Sequence, residues 1–256
     1  MRFLIGIAIL LVIGVLACGC TSQSPATTTP ATVTPAPANL PATLSDSHPN
    51  TTLSLDPCVI VVSVRTEDAD KMELDFANLS GGYVAATVFY TTGPFAGSVA
   101  FQAPQKDTYQ LNVSGSGRWT ADIAPLVTTN PLKTPVNLSG SGTQVTPVFY
   151  LERGEYFFER NETGLASPYY FLGFGNGTPL MDANNTYIQP DFGALSPHPF
   201  TFITIPESGI YFLNVLGRNN PGSWAVTIEP VPKIPYLGPG PARLPAGVTL
   251  TRNVTP

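Results

Sequence analysis

The sequence predicts an all-β protein made of tandem β-sandwich repeats, jelly-roll-like in type. Three observations carry that expectation. After Leu55, short apolar runs rich in Val, Ile, Thr, Tyr and Phe recur about every 8–12 residues, separated by Gly, Pro, Asn and Ser. Outside the amino terminus, no long stretch shows helical periodicity. Finally, the chain repeats itself: FQAPQKDTYQLNVSGSGRWTADIAP (101–125) matches ITIPESGIYFLNVLGRNNPGSWAVTIEP (203–230).

Composition narrows the function classes. Of 256 residues, 43% are hydrophobic and 11% charged, with a net charge of -5. Soluble domains are about one-quarter charged, so a helical enzyme with a Lys/Glu-rich surface is not expected. The acidic balance offers nothing to neutralise phosphates, and no nucleic acid is expected as a partner.

The amino terminus comes first in order. Arg2 is followed by an unbroken apolar run from Phe3 to Ala17. A positive start, an apolar core and small residues after it describe an export signal. The following residues, Cys18-Gly19-Cys20-Thr21-Ser22, resemble the lipobox of prokaryotic lipoproteins. That resemblance implies lipidation at Cys20, with Cys18 as the alternative, and a membrane partner through the lipid. An uncleaved anchor or a plain signal peptide stays open as another reading. The signal and lipobox occupy 1–20. If Cys20 is lipidated, Cys58 stands alone as a small apolar residue at a strand start. If Cys18 is lipidated, a Cys20–Cys58 disulfide is open.

Residues 21–55 are expected to form a disordered Thr/Pro/Ala stalk. From 21 to 45 this segment has no charge and little apolar surface to bury. Its prolines favour extended geometry, which suits a spacer.

The body is expected as a shortened repeat 1 over 56–127 and a full repeat 2 over 138–232, before a Pro-rich tail over 233–256. The matching pairs are Tyr109 with Tyr211, Leu111 with Leu213, Trp119 with Trp224 and Ile123 with Ile228. A weaker upstream match sets Phe76, Gly81 and Tyr83 against Phe149, Gly154 and Tyr156. On that alignment repeat 1 lacks roughly two strands that repeat 2 holds at about 162–198. Tyr and Trp at fixed places are expected to plug the cores.

The pattern G-x-Y-x-L-x-V followed by W-x-V-x-I resembles the last hairpin of the pre-peptidase C-terminal family of small β-sandwiches. The likeness spans 138–230 and implies a sandwich without catalytic activity of its own. The Asp-rich strand usual in that family is missing here, so no metal role follows from the resemblance. Export, a Thr/Pro stalk and many sequons also resemble archaeal-type surface lipoproteins, which implies an extracellular, membrane-anchored location.

Candidate sites are few. Asn-X-Ser/Thr sequons stand at Asn50, Asn78, Asn112, Asn137, Asn161, Asn176, Asn184 and Asn253. They are candidate glycosylation sites, and their number favours a surface protein. His198 has no Gly-x-Ser-x-Gly partner, and no His or Cys cluster suits zinc. Asp182, Asn184, Asn185 and Asp191 carry oxygens at a spacing that fits no calcium loop. No enzyme, cofactor or metal is therefore expected. Tyr169, Tyr187 and Phe192 form a candidate ligand surface. The expected function is a cell-surface lipoprotein that binds or scaffolds an envelope protein. The alternative is a carbohydrate-binding module using the aromatics of 162–198.

Overall fold

The computed structural model describes residues 40–68, 71–81, 84–90, 94–164, 166–180, 199–218 and 222–232. All regular structure among them is strand. The signal, the lipobox cysteines and the tail lie outside the described residues.

The first half holds eight strands. They are β1 (Ala42–Ser45), β2 (Asn50–Leu55), β3 (Cys58–Thr66), β4 (Lys71–Asn78), β5 (Val84–Tyr90), β6 (Phe95–Ala103), β7 (Asp107–Gly115) and β8 (Trp119–Pro125). Two antiparallel sheets form, in the orders β1-β8-β3-β6 and β2-β7-β4-β5. Period-two alternation explains them. On β8, Trp119, Ala121 and Ile123 turn inward, while Thr120, Asp122 and Ala124 face solvent. Ile60, Val62, Leu74, Phe76, Tyr109 and Leu111 meet these residues in one core.

The second half holds β9 (Val136–Ser141), β10 (Gln144–Val145), β11 (Phe149–Leu151), β12 (Gly154–Thr163), β13 (Ala166–Phe174), β14 (Phe200–Ile205), β15 (Gly209–Arg218) and β16 (Ser223–Pro230). One sheet runs β14-β12-β16-β9. In the other, β10, β11 and β13 all pair with β15. A second core gathers Phe149, Leu151, Phe158, Leu172, Ile205, Tyr211, Leu213 and Ile228.

Strand register aligns the halves residue by residue. Leu53 faces Tyr109 as Phe149 faces Tyr211. Phe76 faces Leu111 as Leu172 faces Leu213. Ile60 lies between Pro125 and Phe101 as Tyr156 lies between Pro230 and Ile203. A constant difference of 96 residues therefore joins Leu53 to Phe149, Ile60 to Tyr156 and Phe76 to Leu172. It becomes 102 at Tyr109 and Tyr211, and 105 at the two tryptophans.

Three expectations need correction. The stalk does not reach residue 55, because β1 pairs with β8 and β2 with β7. Leu44, Leu53 and Leu55 are buried, and their alternation outweighs the Thr-rich composition around them. The strands of the first half begin at Ala42 rather than 56, and among the described residues each strand of the second half has a counterpart there. The upstream match of Phe76 with Phe149 is a coincidence of residue types, because the register equivalent of Phe76 is Leu172. The stretch at 162–180 is accordingly not an insertion: β13 stands where β4 stands in the first half.

The halves also touch. Val59, Val148 and Phe212 form a small apolar cluster, with Ala100, Leu126, Val145 and Ile210 against it. An extra residue between β10 and β11 builds this contact. Four positions separate Val145 from Phe149, whereas three separate their partners Asn214 and Tyr211. Thr146 fills the bulge: its N–H donates to the Leu213 carbonyl at 2.9 Å, and its hydroxyl accepts from the Leu213 N–H at 2.9 Å.

Candidate functional site

At β6 the contact between halves becomes polar. Core-facing Val99, Phe101 and Ala103 leave Ser98, Ala100 and Gln102 on the outside. The Ser98 N–H donates to the Thr143 carbonyl at 3.1 Å. The Ala100 N–H donates to Asn214 Oδ1, and the Ala100 carbonyl accepts from Asn214 Nδ2, both at 3.3 Å. Asn214 thus mimics a neighbouring strand and closes the free edge of the first sheet. Gln102 Nε2 donates to the Thr178 carbonyl at 3.0 Å. Gly177, at φ 88°, lies against Cys58, and a Cβ there would fall 2.4 Å from the Cys58 carbonyl oxygen. Burial, with Asp56 next, pushes the half-buried Cys58 thiol up to about 11, so it stays protonated at neutral pH.

Two aromatic surfaces face outward. Tyr169, 39% exposed, stacks with Phe171 at 6.3 Å between ring centroids. Tyr170 between them is buried in the core. Tyr187 and Phe192 lie outside the described residues, as do His198 and the Asp182–Asp191 group. The second surface is one that the sequence reading missed. On β14, Ile203 and Ile205 point inward, so Phe200 and Phe202 point outward, at 41% and 63% exposure. Both rings lie 5.4 Å from that of Phe157 on β12. Strict alternation in Phe200-Thr201-Phe202-Ile203-Thr204-Ile205 was the signal that could have found it.

One end of the second core is polar. Arg160 and Glu162 continue the inward positions of Tyr156 and Phe158 and pair at 3.1 Å. The Tyr170 hydroxyl donates to Glu162 Oε1 at 2.7 Å. Burial first, and then this bond to Glu162, raise the ionisation of Tyr170 above the tyrosine range. The matching positions in the first half are Val64, Thr66 and Leu74. Among the described residues, no group of three His, Cys, Asp or Glu is placed to hold a metal ion.

The sequons divide by geometry. Asn78 is 6% exposed, and its Nδ2 donates to Ser80 Oγ and Asp107 Oδ2, both at 3.2 Å. Asp107 also accepts from Ser80 Oγ. That bond, then the one from the Thr108 N–H, lowers the Asp107 carboxyl below its ordinary range. Asn78 is thus built into a turn. Asn50, Asn112, Asn137, Asn161 and Asn176 are exposed. Asn50 and Asn112 face each other across β2 and β7. Asn184 and Asn253 lie outside the described residues.

A scan against protein-family models finds no match to this chain, and no curated protein matches it.

Proposed function

We propose that this chain is a non-enzymatic, lipid-anchored protein of the cell surface that displays two contacting jelly-roll copies for protein binding or scaffolding at the envelope. The strand orders β1-β8-β3-β6 and β2-β7-β4-β5 support an eight-stranded jelly roll. The second half follows the same pairing scheme wherever it is described. The observation that carries the binding role is the outward set Phe157, Phe200 and Phe202. A solvent-facing sheet normally presents polar residues there, and an apolar cluster marks a docking surface. Export and anchoring rest on the apolar amino terminus and Cys20. The hairpin pattern around the tryptophans supports kinship with the pre-peptidase C-terminal family.

Crosslinking on intact cells followed by mass spectrometry tests the whole reading. The expected result is a lipid-modified Cys20 together with crosslinks from the outer sheet faces to an envelope protein. A soluble, lipid-free chain without crosslinked protein overturns it.

A second reading is carbohydrate binding. It is favoured by the stacked Tyr169–Phe171 pair on β13, where Tyr169 is exposed. Retention of the chain on envelope glycans, lost on Tyr169→Ala, would select it.

A further inference from the structure

The two tryptophans hold equivalent places, but their polar ends differ. Trp224 is buried in the second core, and its indole N–H donates to the Gly142 carbonyl at 3.1 Å. Trp119 is buried as well, at 4% exposure. Among the described residues its indole N–H has no acceptor, and no fully buried side-chain nitrogen or oxygen lacks a partner. The unpaired N–H therefore reaches solvent. A buried tryptophan usually finds a partner for this group.

Trp119 lines a cleft of about 390 Å³ in the first half. The β1–β2 connection contributes Asp46 and Pro49, and the paired ends of β2 and β7 contribute Asn50, Asn112 and Ser114. Strand pairing brings the two amides together. The Val113 N–H donates to the Pro49 carbonyl at 2.8 Å, so Asn50 and Asn112, next in register, form a non-hydrogen-bonded pair. Side chains lie closest in such pairs. Alternation sets Asn112 and Ser114 on one face of β7. The side chains of Asp46, Asn50, Asn112 and Ser114 make no hydrogen bond or ion pair among the described residues. The second half uses these positions otherwise. The equivalents of Asn50, Asn112 and Ser114 are Val145, Asn214 and Leu216, and all three pack against the first half.

We propose that this cleft binds a saccharide ring. The role goes beyond the scaffold reading, and the place is separate from Tyr169. The lining names the ligand class. The Trp119 indole N–H and the two amide NH₂ groups donate, the Asp46 carboxylate and the amide oxygens accept, and the Ser114 hydroxyl does both. A ligand that answers all of them carries donors and acceptors on neighbouring atoms, as the hydroxyls of a sugar do. The carboxylate opposes an anion, and a bare cation would leave the indole and amide donors without acceptors. The Pro49 ring and the edge of Trp119 offer apolar contact to the C–H face of the ring. A concave site with a few convergent polar groups is the common form of a small-ligand site. Two sources can supply the ring: a saccharide of the envelope, or the first sugar of a glycan carried on Asn50 or Asn112, which are both sequons.

The test reads the indole N–H directly. The chain has two tryptophans, so its nitrogen–proton correlation spectrum holds two indole signals, and Trp119→Phe assigns them. The full chain, made without N-glycosylation and held in detergent, is titrated with glucose, galactose, mannose and N-acetylglucosamine. The expected result is a saturable shift of the Trp119 signal with at least one sugar, while the Trp224 signal, bonded inside the fold, stays in place. Asp46→Ala should weaken that binding at least about tenfold with unchanged thermal melting, because the Asp46 side chain is exposed and unpaired. Tyr169→Ala should leave it intact. The proposal is overturned by a Trp119 signal that none of the four sugars moves, by equal shifts of both signals, or by binding that survives Asp46→Ala. Loss of binding on Tyr169→Ala alone would move the sugar to the other aromatic surface and overturn it too. Peptide mass spectrometry of the chain from its native cells separates the sources. Unmodified Asn50 and Asn112 assign the ring to an envelope saccharide, and a glycan on either assigns it to the chain itself.

Discussion

The two halves share a pairing scheme and differ at their margins. Both bury a tyrosine whose hydroxyl donates to a backbone carbonyl four residues upstream, Tyr109 to Gln105 and Tyr211 to Glu207. Both bury a tryptophan at the start of the last strand. The first half closes its β6 edge on the second half, whereas the second half leaves β14 aromatic and outward. The first half ends its core with Val64, Thr66 and Leu74, and the second with Arg160, Glu162 and Tyr170. The difference shows which positions the architecture dictates. Backbone pairing and the central plug are kept, while edges and core ends are free to take new roles.

The strongest way to break the comparison is to remove a central side chain. Phe158→Ala should cost about 3–5 kcal/mol, because the ring is fully buried in the second core. The informative readout is hydrogen exchange. Protection should fall in β12 and β16, and also at Ser98 and Ala100, whose amides the second half accepts. The pairing of β4 with β7 lies within the first half and should persist. Unchanged exchange at Ser98 and Ala100 would mean that the halves do not support each other.

A smaller loss should separate the register-equivalent asparagines Asn214 and Asn112. Asn214→Ala removes both partners of Ala100 and should cost about 1–3 kcal/mol. Asn112→Ala changes an exposed residue and should stay within about 0.5 kcal/mol. Equal effects in chemical denaturation would refute the capping role. The polar core end should behave similarly. Glu162→Thr removes an acceptor shared by Arg160 and Tyr170 and should cost about 1–3 kcal/mol. A triple variant carrying Arg160→Val, Glu162→Thr and Tyr170→Leu would copy the first half. It should recover that loss, because the pair is largely withdrawn from solvent, and apolar replacement of such ion pairs is often neutral or better.

How much of this was legible in the sequence depended on periodicity. The all-β class, the repeat around the tryptophans and the inward Tyr109 and Tyr211 follow from alternation and from matched aromatics. The start of the first half was hidden because Thr, Pro and Ala dominate residues 21–45, and only Leu44, Leu53 and Leu55 mark its buried face. The repeat boundary was misplaced because Phe-Gly-Tyr spacing is common in β proteins, whereas true equivalence is set by cross-strand partners far apart in the chain. The outward Phe200 and Phe202 were written in the alternation of β14. Their meaning needed the contrast with β6, which no local pattern contains. Asn78 reads in sequence like the seven other sequons, and only its bond to Asp107 sets it apart.

The smallest expected effect is the sharpest test of equivalence. Tyr109→Phe and Tyr211→Phe each remove one hydroxyl and one hydrogen bond to a backbone carbonyl, so each should cost about 0.5–1.5 kcal/mol. The two values should agree if the halves are the same unit. Alkaline pH adds an independent check. Burial raises the ionisation of both hydroxyls above the ordinary tyrosine range, opposed at Tyr109 by its bond to Gln105. A raised acid keeps its full contribution below the unfolded value, about 10. That contribution is lost as pH climbs from there toward the folded value, because the unfolded chain ionises first. Wild type should therefore lose stability above about pH 10 more steeply than either phenylalanine variant. A parallel decline in all three proteins would show that neither hydroxyl is held neutral by its core.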